Sequence, residues 1–166
     1  MPASSVAISV EGVLQKYQPV VPIPIGIALY HSLASNFNIL LYSEGTKKEL
    51  DYWLSIEALN KHAAVEYNED DRTWLAEDER KVSQVTSLRN RGFYIDLIIE
   101  PSPSASSLLL AHGYSVMTLT HAQYALPQWR PDYEEKKKSW DELEKAATRM
   151  AELRSLDTRM KDGEGY

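Results

Sequence analysis

The chain of 166 residues contains no cysteine, which excludes disulfide bonds, thiolate zinc sites and cysteine nucleophiles. It also lacks any apolar run of about 18 residues, so the sequence predicts no membrane-spanning helix. The N-terminus has neither the basic segment nor the long apolar stretch of a signal peptide. We therefore expect a cytoplasmic protein without a membrane partner.

Positive charge is scarce, because 18 Lys and Arg residues stand against 24 Asp and Glu residues, giving a net charge of −6. A nucleic-acid-binding surface needs clustered Lys and Arg, so we predict no nucleic-acid partner. Dinucleotide-binding, Walker, nucleophile-elbow and His-Glu-x-x-His motifs are all missing from the sequence. The four histidines show no metal-ligand spacing and are interpreted as surface or packing residues: His31, His62, His112 and His121.

What the sequence does contain is an alternation of apolar runs with helix-like segments. Hydrophobic residues make up 43% and charged residues 25%, ordinary values for one soluble domain. Strands are predicted over residues 6–10, 37–42, 64–67, 94–99 and 116–119. Helices are predicted over residues 26–35, 46–58, 80–91 and 104–112. Three prolines argue against helix or central strand over residues 15–24. The alternation predicts an α/β fold: a Rossmann-like three-layer sandwich with a mostly parallel central sheet.

Polar residues follow three of these strands at the point where each strand ends. They form three pairs along the chain: Ser9 with Glu11, Ser43 with Glu44, and Glu100 with Ser102. Ligands of parallel α/β sheets bind beyond the carboxyl ends of the strands, so the pattern predicts a binding crevice there. The simpler interpretation is that these strands end in ordinary polar turns.

Residues 6–14 read Val-Ala-Ile-Ser-Val-Glu-Gly-Val-Leu, an apolar run followed by a polar turn and two more apolar residues. This outline resembles the first motif of the haloacid dehalogenase (HAD) superfamily, a hydrophobic strand leading into Asp-x-Asp-Gly. Ser9 stands at the position of that family's nucleophilic aspartate. Glu11 stands at the position of its acid/base aspartate.

Three further positions extend the resemblance over residues 6–120. It implies that Ser43 corresponds to the phosphoryl-binding Ser or Thr, and that Lys81, opening a helix, corresponds to the phosphate-neutralising lysine. Glu100 occupies the place of the acidic residues that hold Mg²⁺. The chain length and the segment 124–131 are most similar to small HAD-like proteins encoded by bacteriophages, which would place the protein in the host cytoplasm.

The departures from the family pattern argue against catalysis. A serine hydroxyl lacks the charge and the second oxygen of an aspartate nucleophile. The extra methylene of Glu11 displaces its carboxylate by about 1 Å, which costs roughly 10²-fold where positioning matters. Only Glu11 and Glu100 remain as weak metal ligands, so no cofactor is expected beyond Mg²⁺ bound for residual activity. We interpret Ser9, Glu11, Ser43 and Lys81 as a vestigial site without catalytic residues.

The composition changes after the predicted core. We predict a HAD-like α/β domain over residues 1–126 and a C-terminal arm with a charged helix over residues 127–166. Trp, Tyr and Arg are common at interface hot spots, so four residues of this extension are predicted to bind a partner: Trp129, Arg130, Tyr133 and Trp140. The acidic run over residues 66–79 is interpreted as a solvated loop, with an acidic docking surface as the alternative.

These observations predict a catalytically degenerate HAD-like protein that is not an enzyme and acts by binding. Its partner would be a protein, from the host or a second copy of the chain, or a phosphorylated small molecule. The alternative is a divergent Mg²⁺-dependent phosphatase or nucleotidase in which Glu11 and Glu100 hold the metal.

Overall fold

The structure is a computed structural model that describes residues 4–16, 20–68 and 72–119. The chain divides into two units, Met1–Arg130 and Pro131–Tyr166, and the described residues all belong to the first. Five strands occur in this part of the chain: β1 (Ser5–Ser9), β2 (Asn38–Tyr42), β3 (Ala64–Glu66), β4 (Ile95–Glu100) and β5 (Val116–Thr118). Four helices alternate with them: α1 (Pro24–Leu33), α2 (Lys47–Ile56), α3 (Glu77–Asn90) and α4 (Pro103–Ala111).

The strands form one sheet in the order β3-β2-β1-β4-β5, and every neighbouring pair is parallel. This confirms the predicted α/β class and the Rossmann-like sheet. Ile8 lies opposite Leu41 of β2 and Ile99 of β4, so β1 is the central strand. The strand order reverses between β1 and β4, and a crevice opens at such a switch point in doubly wound sheets.

Alternate residues of each strand face opposite sides of the sheet, and each side is covered by a pair of helices. On one side, β1 and β2 pack against α1 and α2 through a buried cluster that includes Val6, Ile8, Ile39, Leu41, Tyr30, Leu50 and Trp53. On the other side, β2 and β4 pack against α3 and α4 through a cluster that includes Ala7, Leu40, Ile98, Val82, Val85, Leu88 and Leu109. The predicted three-layer arrangement is therefore confirmed for the described residues.

The boundaries of the helices differ from the sequence prediction, most informatively at the starts of α1, α3 and α4. α1 begins at Pro24, inside the segment predicted to be non-helical, because the first helical position needs no N–H donor. α4 begins at Pro103 for the same reason, with the Ser102 hydroxyl accepting a hydrogen bond from the N–H of Ala105. α3 begins at Glu77, three residues earlier than predicted, so Lys81 lies in its second turn and does not open it.

The acidic run over residues 66–79 is not a single solvated loop. Glu66 ends β3, is buried, and forms ion pairs with Arg72 and Arg91. Residues 77–79 form the first turn of α3, where carboxylates interact favourably with the helix dipole. Within the described part of the chain, none of the helices is long and apolar enough to cross a membrane.

Candidate functional site

A tight turn after β1 brings Glu11 back over the carboxyl edge of the sheet. The N–H groups of Leu14 and Gln15 both donate to the carbonyl oxygen of Val10, at 2.9 and 3.0 Å. Gly12 adopts a positive φ of 86°, which side-chain-bearing residues rarely accept. The turn leaves the Glu11 side chain buried beside the end of β2.

Both carboxylate oxygens of Glu11 accept hydrogen bonds from neighbouring groups of the chain. The Ser43 hydroxyl donates to Oε1 at 2.6 Å, and the Gln15 side-chain amide donates to the same oxygen at 3.4 Å. The backbone N–H of Glu44 donates to Oε2 at 3.0 Å. The Ser43 hydroxyl in turn accepts from the N–H of Gly45 at 2.9 Å. The structure thus brings Glu11 and Ser43 together at the predicted edge. Their side chains hydrogen-bond to each other.

Ser9 lies at the end of β1 and is 1% exposed. Its hydroxyl donates to the backbone carbonyl oxygen of Glu11 at 3.0 Å, which fixes the turn. A serine nucleophile needs an adjacent base to take its proton. A backbone carbonyl oxygen cannot serve as that base, so this contact gives Ser9 a structural role.

Glu100, at the end of β4, is the centre of a second group of contacts. Its Oε1 accepts from the Lys81 ammonium at 2.8 Å and from the Ser102 N–H at 2.9 Å. Its Oε2 accepts from the Tyr42 hydroxyl at 2.6 Å. Lys81 is 4% exposed and Glu100 is fully buried, so this is a buried salt bridge and not a solvated charge.

Burial and the neighbouring charges together set the protonation of Lys81 and Tyr42. Burial by itself lowers the pKa of Lys81, but the charge and hydrogen bond of Glu100, together with Glu77, outweigh it and raise that pKa above its ordinary value. Burial, followed by the charge of Glu100, raises the pKa of Tyr42 well above its ordinary range. At neutral pH the lysine is therefore charged and the tyrosine is a neutral donor.

Among the described residues, the buried acceptor atoms without a donor include three that belong to the surroundings of Glu11 and Ser43: Oε1 of Gln15, Oε1 of Glu44 and Oε1 of Gln84. The orientation of both amides is determined by their contacts, because the Gln84 nitrogen donates to the Ser43 carbonyl oxygen at 2.6 Å and the Gln15 nitrogen donates to Glu11. The oxygens are therefore the unpartnered atoms. This half of the site presents acceptors.

Four residues of the site were not predicted from the sequence: Gln15, Tyr42, Arg80 and Gln84. Arg80 donates to Glu44 Oε2 at 2.8 Å and to the carbonyl oxygen of Leu75 at 2.6 Å. Burial raises the pKa of Glu44, and the Arg80 contact opposes that rise. Residues three positions apart lie on the same face of a helix, so the spacing between Lys81 and Gln84 could have indicated that both side chains reach the site. Tyr42 was hidden in the apolar run of β2.

The Mg²⁺ that the HAD resemblance implies does not fit these contacts. An ionised carboxylate offers about four lone-pair positions, and three are used on Glu11 and three on Glu100. Mg²⁺ also requires near-octahedral oxygen ligands at about 2.0–2.1 Å, whereas Lys81 already lies against Glu100. Within residues 4–16, 20–68 and 72–119, no group of three or more His, Cys, Asp or Glu side chains could hold a metal ion.

Several predicted residues lie away from this edge or outside the described chain. His31 and His112 are exposed, and His62 lies 3.0 Å from the Leu59 carbonyl oxygen, whereas His121 falls outside the described residues. The predicted partner-binding residues also lie outside them: Trp129, Arg130, Tyr133 and Trp140. The boundary at residues 126 and 127 likewise stays a prediction.

Comparison with known proteins assigns no family to the chain. No protein-family model matches it, and no curated protein matches it either. What is established is a Rossmann-like α/β unit whose central strand ends carry two buried carboxylates, each accepting three hydrogen bonds from its own chain.

Proposed function

We propose that this protein is a catalytically inactive, HAD-like binding protein whose partner is another protein. The supporting observation is that Glu11 is closed onto Ser43 and the Glu44 N–H, at 2.6 and 3.0 Å. These are the side chains that a phosphotransferase of this type would aim at its substrate. The strand order and the positions of Ser9 and Glu100 at the switch point agree with a HAD-like origin.

The charges at the strand ends favour a protein partner over a phosphorylated ligand. A phosphate group needs donors or cations, since its oxygens are acceptors. Lys81 is neutralised by Glu100, and Arg80 by Glu44, at 2.8 Å in both ion pairs. Among the described residues, buried acceptor atoms of Gln15, Glu44 and Gln84 lie beside these groups without a donor. Phosphate would therefore meet repulsion here.

Hydrolysis of an aryl phosphate such as p-nitrophenyl phosphate, with millimolar Mg²⁺ or Mn²⁺, is expected to stay at background. The physical reason is that Ser9 has no carboxylate to attack phosphorus and its hydroxyl is bound to the Glu11 carbonyl oxygen. Release of nitrophenolate is measured for the wild type, the Glu11→Gln variant and the Ser9→Asp/Glu11→Asp double variant.

The two variants distinguish the possible outcomes. Wild-type turnover above ~1 s⁻¹, the lower end of common enzyme rates, that disappeared in Glu11→Gln would contradict the proposal and support the divergent phosphatase. Turnover that rises only in the double variant would support descent from an active phosphotransferase that lost its nucleophile.

A binding function predicts that the full-length chain retains a partner through its tryptophan-bearing extension. We expect a Trp129→Ala/Trp140→Ala variant to lose a protein that the wild type retains from a lysate of the source cells, or to lose self-association in sedimentation velocity. Large aromatic side chains dominate interface energies, and truncating one at a hot spot costs about 2 kcal/mol or more.

Trp74→Ala is the matched control, because Trp74 is 79% exposed on the described unit. The control should bind like the wild type. Equal binding by all three proteins would rule out Trp129 and Trp140 as contact residues. An absence of any specific partner or self-association in the wild type would count against the binding function itself.

A further inference from the structure

Both side chains of the ion pair between Lys81 and Glu100 are buried, and the Nζ–Oε1 distance is 2.8 Å. A carboxylate removed from water is strongly destabilising unless a cation or several hydrogen-bond donors compensate its charge. Proteins use either a basic side chain or a bound metal ion for this purpose. Here the compensating cation belongs to the chain.

The surrounding structure holds both partners in place. Glu100 is oriented by the Tyr42 hydroxyl from β2 and the Ser102 N–H from the start of α4. Lys81 is carried by α3, whose residues Val82, Val85 and Leu88 pack in the core. Glu77 lies one turn earlier, 3.5 Å from the Lys81 ammonium, and adds a second negative charge.

We propose that the Lys81 ammonium is a built-in counter-ion that occupies the cation position of Glu100 and keeps divalent metal ions out of the strand-end site. Removing the ammonium should create a divalent-cation site on the Glu100 carboxylate. The inference concerns the charge balance of the site and holds whether or not the protein hydrolyses phosphate, so its failure would leave the proposed function intact.

The wild-type protein provides a first test that needs no variant. Lys81 should resist acetylation by acetic anhydride in the folded protein, whereas the exposed Lys48 should react, as measured by peptide mass spectrometry. Millimolar Mg²⁺ should change neither result and should not shift the melting temperature. Acetylation of Lys81 at the rate of Lys48, or its appearance on adding Mg²⁺, would overturn the proposal.

The Lys81→Ala variant provides the second test. Breaking a buried ion pair in a chain of this size should lower the melting temperature by about 6–12 °C in metal-free buffer. Millimolar Mn²⁺ should then recover a measurable part of that loss, because an ion that binds the folded state stabilises it. Electron paramagnetic resonance should detect bound Mn²⁺ in this variant and not in the wild type.

Matched variants assign the effect to Glu100. Lys48→Ala should melt like the wild type and ignore Mn²⁺, and Lys81→Ala/Glu100→Gln should show no recovery. Lys81→Met keeps the length of the side chain and replaces Lys81→Ala if that variant does not fold. A Lys81 variant that melts like the wild type, or that recovers no stability with either Mg²⁺ or Mn²⁺, would refute the counter-ion role.

Discussion

Replacing Ile98 with alanine is expected to lower the free energy of unfolding by about 2–5 kcal/mol, the range measured for large-to-small changes in protein cores. Ile98 is fully buried in β4, which lies between β1 and β5. Its side chain packs with Ala7, Leu40 and Leu109, so truncation leaves a cavity that neither the sheet nor a helix can easily fill. Urea denaturation followed by circular dichroism measures the change.

Ile56→Ala is the matched control for this experiment. Ile56 is the last residue of α2 and is 61% exposed, so its truncation removes little buried surface. Its free energy of unfolding should stay within about 0.5 kcal/mol of the wild type. A loss below about 1 kcal/mol in Ile98→Ala would be too small for a fully buried position in a central strand and would contradict this sheet order.

The Gly26→Ala substitution is expected to destabilise the protein even though alanine is the better helix former. Gly26 is buried near the start of α1, and a Cβ there would overlap the carbonyl oxygen of Val13 and lie 2.6 Å from its carbonyl carbon. Helix propensity favours alanine by about 1 kcal/mol. Forcing α1 away from the turn that carries Glu11 should cost more, so we expect a net loss of about 1–3 kcal/mol.

Ala28→Gly separates the two effects, since Ala28 is exposed on the same helix. This control should lose about 1 kcal/mol through helix propensity alone. If Gly26→Ala were instead as stable as the wild type or more stable, then α1 would not approach the Val13 carbonyl closely. The same unfolding measurement decides both variants.

The sequence by itself determined the fold class and placed the site at the edge of the sheet formed by the carboxyl ends of the strands. Alternating strands and helices can bury their apolar faces only in layers, and polar residues directly after parallel strands must share one edge. The positions of Ser9, Ser43 and Glu100 followed from that reasoning. Helix starts were less predictable, because Pro24 and Pro103 interrupt helices in most contexts and begin them in this one.

Only the tertiary structure decided what these side chains contact. A spacing along the chain does not reveal that Glu11 turns back to accept the Ser43 hydroxyl, or that Tyr42 reaches Glu100 across the sheet, 58 positions away in the sequence. It also could not show that Lys81 is buried against Glu100, because an Arg-Lys pair on a helix is usually solvated. These contacts join residues that are far apart in the chain. The pairing of β1 with β2 and β4 brings the strand ends together, the packing of α3 against the sheet places Lys81, and the resulting contacts close the site on itself.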